Sequence, residues 1–500
     1  MFFYNINLVP FIDLCFFFPE FFISLVILYL LILGLFFLRS NLEMWINSVF
    51  SRLTLVFLFF AFLLNYNLPN VSMMFFEGSL CFDFFIKINK FFLIFLLFLS
   101  VLSSSSYLSF FKLNKFEFFS FILIIFLASS FLLMSNDFLL FYLSLELQSL
   151  TFYLLASFKK DSPFSAEAGL KYFILGALSS GLLLFGLSLI YGITGTLNFF
   201  SLSLLFLDFS SFSFFSYPLV FGLILVLSSF FFKLAVAPFH MWSPDVYEGS
   251  PLVSVLFLAV ISKFVLFVVL SRLIFFVFFD IFLVFDYVLT IVIFFSFFVS
   301  VFNALQQKKF KRFFAYSSIS HVAFILLALN SLNFLGFVSF YFYLYSYSLM
   351  NLLVWVLLIS LKNPFNRNFF SFILNLSNLS KVNISLSFCF FIVLMSMAGI
   401  PPFLGFFSKF WVFISGLSSG QFFVVFVALL SSVISCFYYL RFVKIIFFEK
   451  SKYFPILATF NKPQSFVISL LTISLIFLFI FSDVVFSFFY YFYLSFYGLL

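Results

Sequence analysis

Apolar runs long enough to cross a bilayer follow one another along almost the whole chain, separated by short polar or Gly/Pro-containing segments. A run of about 18 residues or more is the signature of a membrane-spanning helix. Read this way, the pattern predicts fourteen spans, at 20–38, 49–65, 91–110, 116–135, 137–158, 167–192, 217–241, 251–278, 286–306, 313–330, 334–361, 385–416, 420–447 and 464–483. The aromatic tail FSFFYYFYLSFYGLL is expected to extend the last span. The runs are continuous rather than alternating, which excludes a β-barrel. The fold class is therefore an all-α polytopic membrane protein.

The cationic loops test that count independently. Arg39 falls between spans 1 and 2, Lys112 and Lys115 between 3 and 4, and Lys159 and Lys160 after 5. The cluster KKFKR (Lys308 to Arg312) follows span 9, and Lys362, Arg367 and Lys381 follow span 11. Arg441, Lys444, Lys450, Lys452 and Lys462 surround the connection from 13 to 14. All these loops have the same parity. The opposite loops carry Asp137, Asp208, Asp280 and Asp286, with Lys87 and Lys90 near the start of span 3 as the exceptions. The positive-inside rule then puts both termini on the outer face.

Composition narrows the function. Of 500 residues, 65% are hydrophobic and 8% charged, against about 25% charged in soluble domains. The 103 phenylalanines read as drift in a T-rich, organelle-like genome, because Phe fills lipid-facing and packing positions about as well as Leu. The net charge of +8 sits in short loops and points to no nucleic acid. Four scattered cysteines, two histidines and the lack of a Walker or dinucleotide motif predict no metal, haem or other cofactor. Such a chain must be driven by partners.

Few ionisable side chains lie deep in the spans: Glu146 in FYLSLELQSL, Lys233 in SSFFFKLAVAPFH, Lys263 in LAVISKFVLF and Lys409 in GFFSKFWVF. At about 1.5 Å per residue, Lys263 lies about 18 Å beyond Pro251 and Glu146 about 14 Å beyond Asp137, both near mid-membrane. A lysine stem of roughly 6 Å is too short to reach water from there. Intramembrane ionisable residues of this kind build proton relays. Burial and a carboxylate partner push a lysine's proton affinity in opposite directions, so a partner that approaches or retreats makes the affinity switchable.

Span 7 carries Pro238 and span 12 carries Pro401 and Pro402. Proline frees a carbonyl, and such a break survives in hydrocarbon only inside protein or beside a watery cavity. Broken, lysine-bearing spans in matching positions predict inverted repeats. Spans 4–8 and 9–13, five each, would be the two copies. The expected division is an N-terminal three-span segment (1–115), a first repeat (116–280), a second repeat (281–447) and a C-terminal segment (448–500).

The stretch FKLAVAPFHMWSPDVYEGSP, preceded by LFGLSLIYGITGTLNF and followed by ISKF, AYSSISHVAF and AGIPPFLGFFSKFWVF, resembles the antiporter-like subunits of respiratory complex I. The similarity runs from about residue 116 to residue 447. The residues after His240, and Lys409 where one sibling usually has glutamate, set this chain apart from chains 4 and 5 of that family. The resemblance implies a proton-translocating subunit of NADH:ubiquinone oxidoreductase, without redox chemistry of its own and driven by quinone reduction elsewhere. It implies that Glu146 pairs with Lys233, that Lys263 is the central lysine, that His321 is a relay residue and that Lys409 is the terminal lysine. His240, beside Trp242, reads as a hydrogen-bonded structural residue. The partners implied are the other membrane-arm subunits, among them chain 4 and the small membrane subunits, with accessory subunits and lipids in a hetero-oligomer of the mitochondrial inner membrane. The alternative is an Mrp-type cation/proton antiporter subunit, which would share the lysines.

Overall fold

The computed structural model describes residues 9–39, 46–111, 113, 115–209, 217–279, 281–362, 370–449 and 461–496. Lys112, Arg367, Lys450, Lys452 and Asp280 of the loop pattern lie outside them. The first part of the chain forms α1 (Val9–Arg39), α2 (Ile46–Asn67), a hairpin of β1 (Met73–Phe75) and β2 (Leu80–Phe82), and α3 (Phe84–Phe110). There follow α4 (Glu117–Met134), α5 (Phe138–Ala156), α6 (Pro163–Thr194), α7 (Phe199–Phe209), α8 (Tyr217–Leu234) and α9 (Trp242–Gly249). Next comes α10 (Leu252–Val277), which contains π-helical turns at Leu258–Ser262 and Leu273–Val277. The longer helices that follow are α11 (Phe282–Gln306), α12 (Phe310–Asn330), α13 (Phe334–Ser360), α14 (Ile384–Ala398), α15 (Leu404–Ser418), α16 (Phe422–Phe447), α17 (Lys462–Ile480) and α18 (Ser482–Phe496), with single helical turns at Ile373–Leu376 and Leu379–Val382 before α14.

Among the described residues, 13 helices are long and apolar enough to cross a membrane. α14 and α15 are each too short, but together they complete the interrupted twelfth span, so the crossings agree with the fourteen expected. The breaks fall where the prolines stand. Span 7 leaves the helix after Leu234 rather than running to 241, and α9 resumes at Trp242. Span 12 is interrupted between Ala398 and Leu404.

Local chemistry explains several boundaries. Pro163 opens α6 and Gly195, at φ 68°, closes it. The Asn383 side chain accepts the Leu386 N–H and caps α14. In α3 the buried hydroxyls of Ser100, Ser103, Ser104 and Ser106 donate to carbonyls one turn back, so a polar run can face protein inside a membrane helix.

One expectation needs correction. The hydropathy pattern leaves the segment after span 6 as a loop, yet Phe199–Phe209 is helical; at 11 residues it is too short for a spanning-length window to register. The aromatic tail does carry the last crossing on, but as a separate helix: the chain turns at Phe481, and α18 continues along α3 and α13, where the Phe492 ring lies 4.7 Å from that of Phe85 and 5.0 Å from that of Tyr341. Gln464 at the start of α17 bonds the Ser103 carbonyl near the end of α3, whereas Phe496 meets Phe85 at its beginning.

The most central helices are α10, whose apolar stretch is wholly buried, and α12 and α13, nearly so. α1, α6 and α17 are largely peripheral. The N-terminal segment holds a buried ion pair, Lys90 to Glu20 at 2.6 Å, with side chains 0% and 1% exposed. Nearby Arg272 of α10 donates to the carbonyls of Leu133 and Ser135 (2.8 and 3.0 Å) and to the Cys81 sulfur. At the head of α3, burial pushes the Asp83 carboxyl above the usual carboxylate range, with Arg272 pulling the other way.

Candidate functional site

α12 organises the centre. Ser318, His321 and Phe324 are three residues apart and share one helix face. Lys263, 2% exposed on α10, donates from Nζ to Ser318 Oγ at 2.9 Å. The Lys409 ammonium stands 5.3 Å from the centre of the Phe324 ring. His321, fully inside, lies between these two positions: its Nδ1 is 2.8 Å from the Tyr343 hydroxyl and its Nε2 3.2 Å from that of Tyr439. The Tyr347 ring stacks on it at 5.3 Å. The structure therefore brings Lys263, His321 and Lys409 onto one face of one helix.

The π-helical turn Leu258–Ser262 ends at Lys263 and widens the helix just before the lysine. Such turns cluster at functional sites. Asn351 of α13 donates to the Ala259 carbonyl inside that turn at 2.9 Å, and also to the Tyr347 hydroxyl at 3.2 Å. Trp355 Nε1 in turn donates to Asn351 Oδ1. A hydrogen-bonded column on α13 thus supports Lys263 and His321 together.

At the second break, Lys409 reaches back from α15 and donates to the Met397 and Ala398 carbonyls, at 3.0 and 2.8 Å. These are the unpaired carbonyls at the C-terminal end of α14, where a cation is favoured. Gly399 makes the reach possible. Its φ is 82°, and a Cβ there would lie 2.8 Å from the Lys409 Cδ.

At the first break, Lys233 lies in the last turn of α8 and lines a cavity of about 30 Å³ with Gln148, Ser149, Tyr153, Tyr172 and Trp242. That is room for about two water molecules. Trp242 Nε1 donates to the Phe232 carbonyl at 2.8 Å and so serves the carbonyl next to the lysine. Glu146 does not meet Lys233 as an ion pair. Its Oε1 is buried without a partner and its Oε2 lies 3.5 Å from Ser149 Oγ on its own helix. Pro238 stands in the break, while His240 is buried with Nδ1 unpartnered, so the ring is less fully bonded than expected. Pro401 and Pro402 stand in the other break.

On the face bearing the basic loops, a second cavity of about 620 Å³ opens between α6, α9 and α12. Ion pairs cross it: Lys171 to Asp245 (3.1 Å), Arg312 to Asp245 (3.0 Å) and Lys309 to Glu248.

The NADH:quinone oxidoreductase/Mrp antiporter transmembrane family matches residues 135–435. NADH-quinone oxidoreductase subunit N of Pelagibacter ubique is 37% identical over 88% of this chain and 91% of its own length. The chain belongs to this family. Its subunit N (chain 2) branch also includes NADH-ubiquinone oxidoreductase chain 2 of Marchantia polymorpha, 34% identical over 70% of this chain and 71% of that one. Among solved structures, a chain of respiratory complex I from Thermus thermophilus with bound aureothin superposes with a TM-score of 0.77 at 26% identity, covering 94% of this chain and 98% of that one. A chain of the Mrp complex from Dietzia reaches 0.81 over 96% and 97%, at 18% identity, and so shares the fold.

Sequence reasoning missed Ser318, Tyr343, Tyr347, Asn351 and Tyr439. One signal was available. In FYFYLYSYSLMN, Tyr343, Tyr347 and Asn351 recur every four residues, and a buried tyrosine hydroxyl needs a partner. The Glu20–Lys90 pair was also missed, because Lys90 was read with the outer loop.

Proposed function

We propose that this subunit N family member moves protons through the membrane arm of respiratory complex I, as one chain of a hetero-oligomer, driven by quinone reduction elsewhere in the complex. The observation that carries the reading is the single face of α12, with Lys263 bonded to Ser318, His321 next to it and Lys409 over Phe324. Protons pass along the membrane plane from Lys233 through Lys263 and His321 to Lys409, with Glu146 setting the charge at the start and water bridging the gaps. A hydrogen-bonded imidazole between two ammonium groups can take a proton at one ring nitrogen and release one at the other.

Residues 116–280 and 281–447 act as two inverted halves, each contributing one interrupted helix with a lysine beside it. The positive-inside rule places the basic vestibule on the matrix side and both termini on the intermembrane-space side of a mitochondrial inner membrane. The likeness to chain 2 of Marchantia polymorpha and the Phe-rich, organelle-like composition support that location. The sequence relatives named above are NADH oxidoreductase subunits, which favours this reading over an Mrp-type exchanger.

Lys263→Met tests it. The expected result is a complex that assembles on a blue-native gel and oxidises NADH, but loses most of its proton pumping in sealed vesicles. Wild-type pumping at normal electron flux would remove Lys263 from the relay.

A further inference from the structure

The two cavities of the first half meet at one joint, between α6 and α9. On α6, Lys171 lines the 620 Å³ vestibule, whereas its neighbour Tyr172 lines the 30 Å³ cavity on Lys233. On α9, Asp245 lines the vestibule and Trp242, one turn earlier, lines the Lys233 cavity. The joint therefore has two layers. Its vestibule layer is the Lys171–Asp245 ion pair at 3.1 Å. Its inner layer is the Tyr172 ring stacked on Trp242, with centroids 4.7 Å apart and planes 21° apart, braced edge-on by Tyr153 at 4.8 Å.

We propose that Tyr172 and Trp242 form an aromatic partition that controls water access from the basic vestibule to Lys233, and that the Lys171–Asp245–Arg312 ion pairs latch it. This rests on the proposed role of Lys233 in proton transfer.

Three features make the joint fit that task. The far end of α9 is pinned, since a Cβ on Gly249 would come within 2.5 Å of the Phe164 carbonyl, so motion of α9 against α6 pivots there. The other end bears Trp242, whose indole N–H holds the Phe232 carbonyl; any tilt of α9 therefore acts on the residue beside Lys233. Finally, Asp245 is bonded by Arg312 of α12, the helix that carries Ser318 and His321. A shift of α12 reaches the partition through one carboxylate. Ion pairs at a wet rim are individually weak, which suits a latch that opens each turnover.

The experiment compares Tyr172→Ala, Tyr172→Phe and Lys171→Met in the full complex in native membranes. Two quantities are read: hydrogen–deuterium exchange at the backbone amides of Lys233 to Val236, and protons pumped per NADH oxidised. Tyr172→Ala removes half of the stack and is expected to speed that exchange about tenfold and to lower the proton ratio, with NADH oxidation maintained. Tyr172→Phe keeps the ring and restores both. Lys171→Met leaves the rings intact and gives a smaller, several-fold acceleration, and it serves if the alanine variant does not assemble. Wild-type exchange in the alanine variant, or in Lys171→Met if that variant stands alone, overturns the partition. Faster exchange with an unchanged proton ratio upholds the partition and removes Lys233 from the relay instead.

Discussion

The two interrupted crossings hold their lysines in opposite ways. At the α14–α15 break Lys409 is itself the cap, 5% exposed and donating to two freed helix-end carbonyls. At the α8–α9 break a tryptophan does that work: Trp242 bonds the Phe232 carbonyl, and Lys233 is left facing a small cavity with no hydrogen bond to protein among the described residues. The backbone follows suit. The second break turns through Gly399 at φ 82°, where glycine is at ease, and the first through Ala235 at φ 59°, where an L-residue is not. Where tryptophan holds the helix-end carbonyl, the lysine can exchange its proton without loss of a hydrogen bond to the fold; where the lysine holds the carbonyls itself, each proton it releases also weakens the break.

The sharpest way to break this comparison is Lys409→Met. It strands two buried carbonyls, and with charge-assisted hydrogen bonds contributing about 1.5–3 kcal/mol each, a loss of roughly 3 kcal/mol is expected. A denaturing-detergent titration of the purified complex would read it. Gly399→Ala comes next: the left-handed backbone costs an L-residue roughly 1–2 kcal/mol, with crowding against Lys409 added. The reciprocal change, Ala235→Gly, should be neutral or stabilising by less than about 1 kcal/mol, because relief of that strain is offset by the chain entropy of glycine. The same titration compares the two, and equal destabilisation by both would erase the asymmetry of the breaks. The smallest effect on stability belongs to Lys233→Met, expected within about 1 kcal/mol of neutral because no hydrogen bond to protein is lost. Its proton pumping should nevertheless collapse in sealed vesicles. A loss of stability as large as that of Lys409→Met would mean that Lys233 is structural.

Much of this was legible in the sequence. Hydropathy located the crossings, the prolines located both breaks, and depth along each span singled out Glu146, Lys233, Lys263 and Lys409, with His321 added by the resemblance. What stayed hidden depends on tertiary contact. The π-turn before Lys263 is stabilised by Asn351, 92 residues away, and no local propensity encodes it. The separation of Glu146 from Lys233 is a matter of side-chain position. The docking of α18 beyond the turn at Phe481 depends on aromatic partners on α3 and α13, while the sequence shows only an apolar run. Glu20 went unremarked because a single carboxylate near a span end reads as interfacial until its partner is known.

That last pair bears on how the protein is made. Glu20 and Lys90 are 70 residues apart, and at about 5–20 residues per second the ribosome needs roughly 4–14 s to deliver the lysine after the glutamate. Through that interval α1 carries an acidic side chain whose partner has not yet been made, and a lone acidic residue within a membrane helix is costly. The order of synthesis thus matches the architecture: α3, which brings the counter-charge, precedes every helix that carries the proposed relay, so the residue that pairs with Glu20 is translated before any of them.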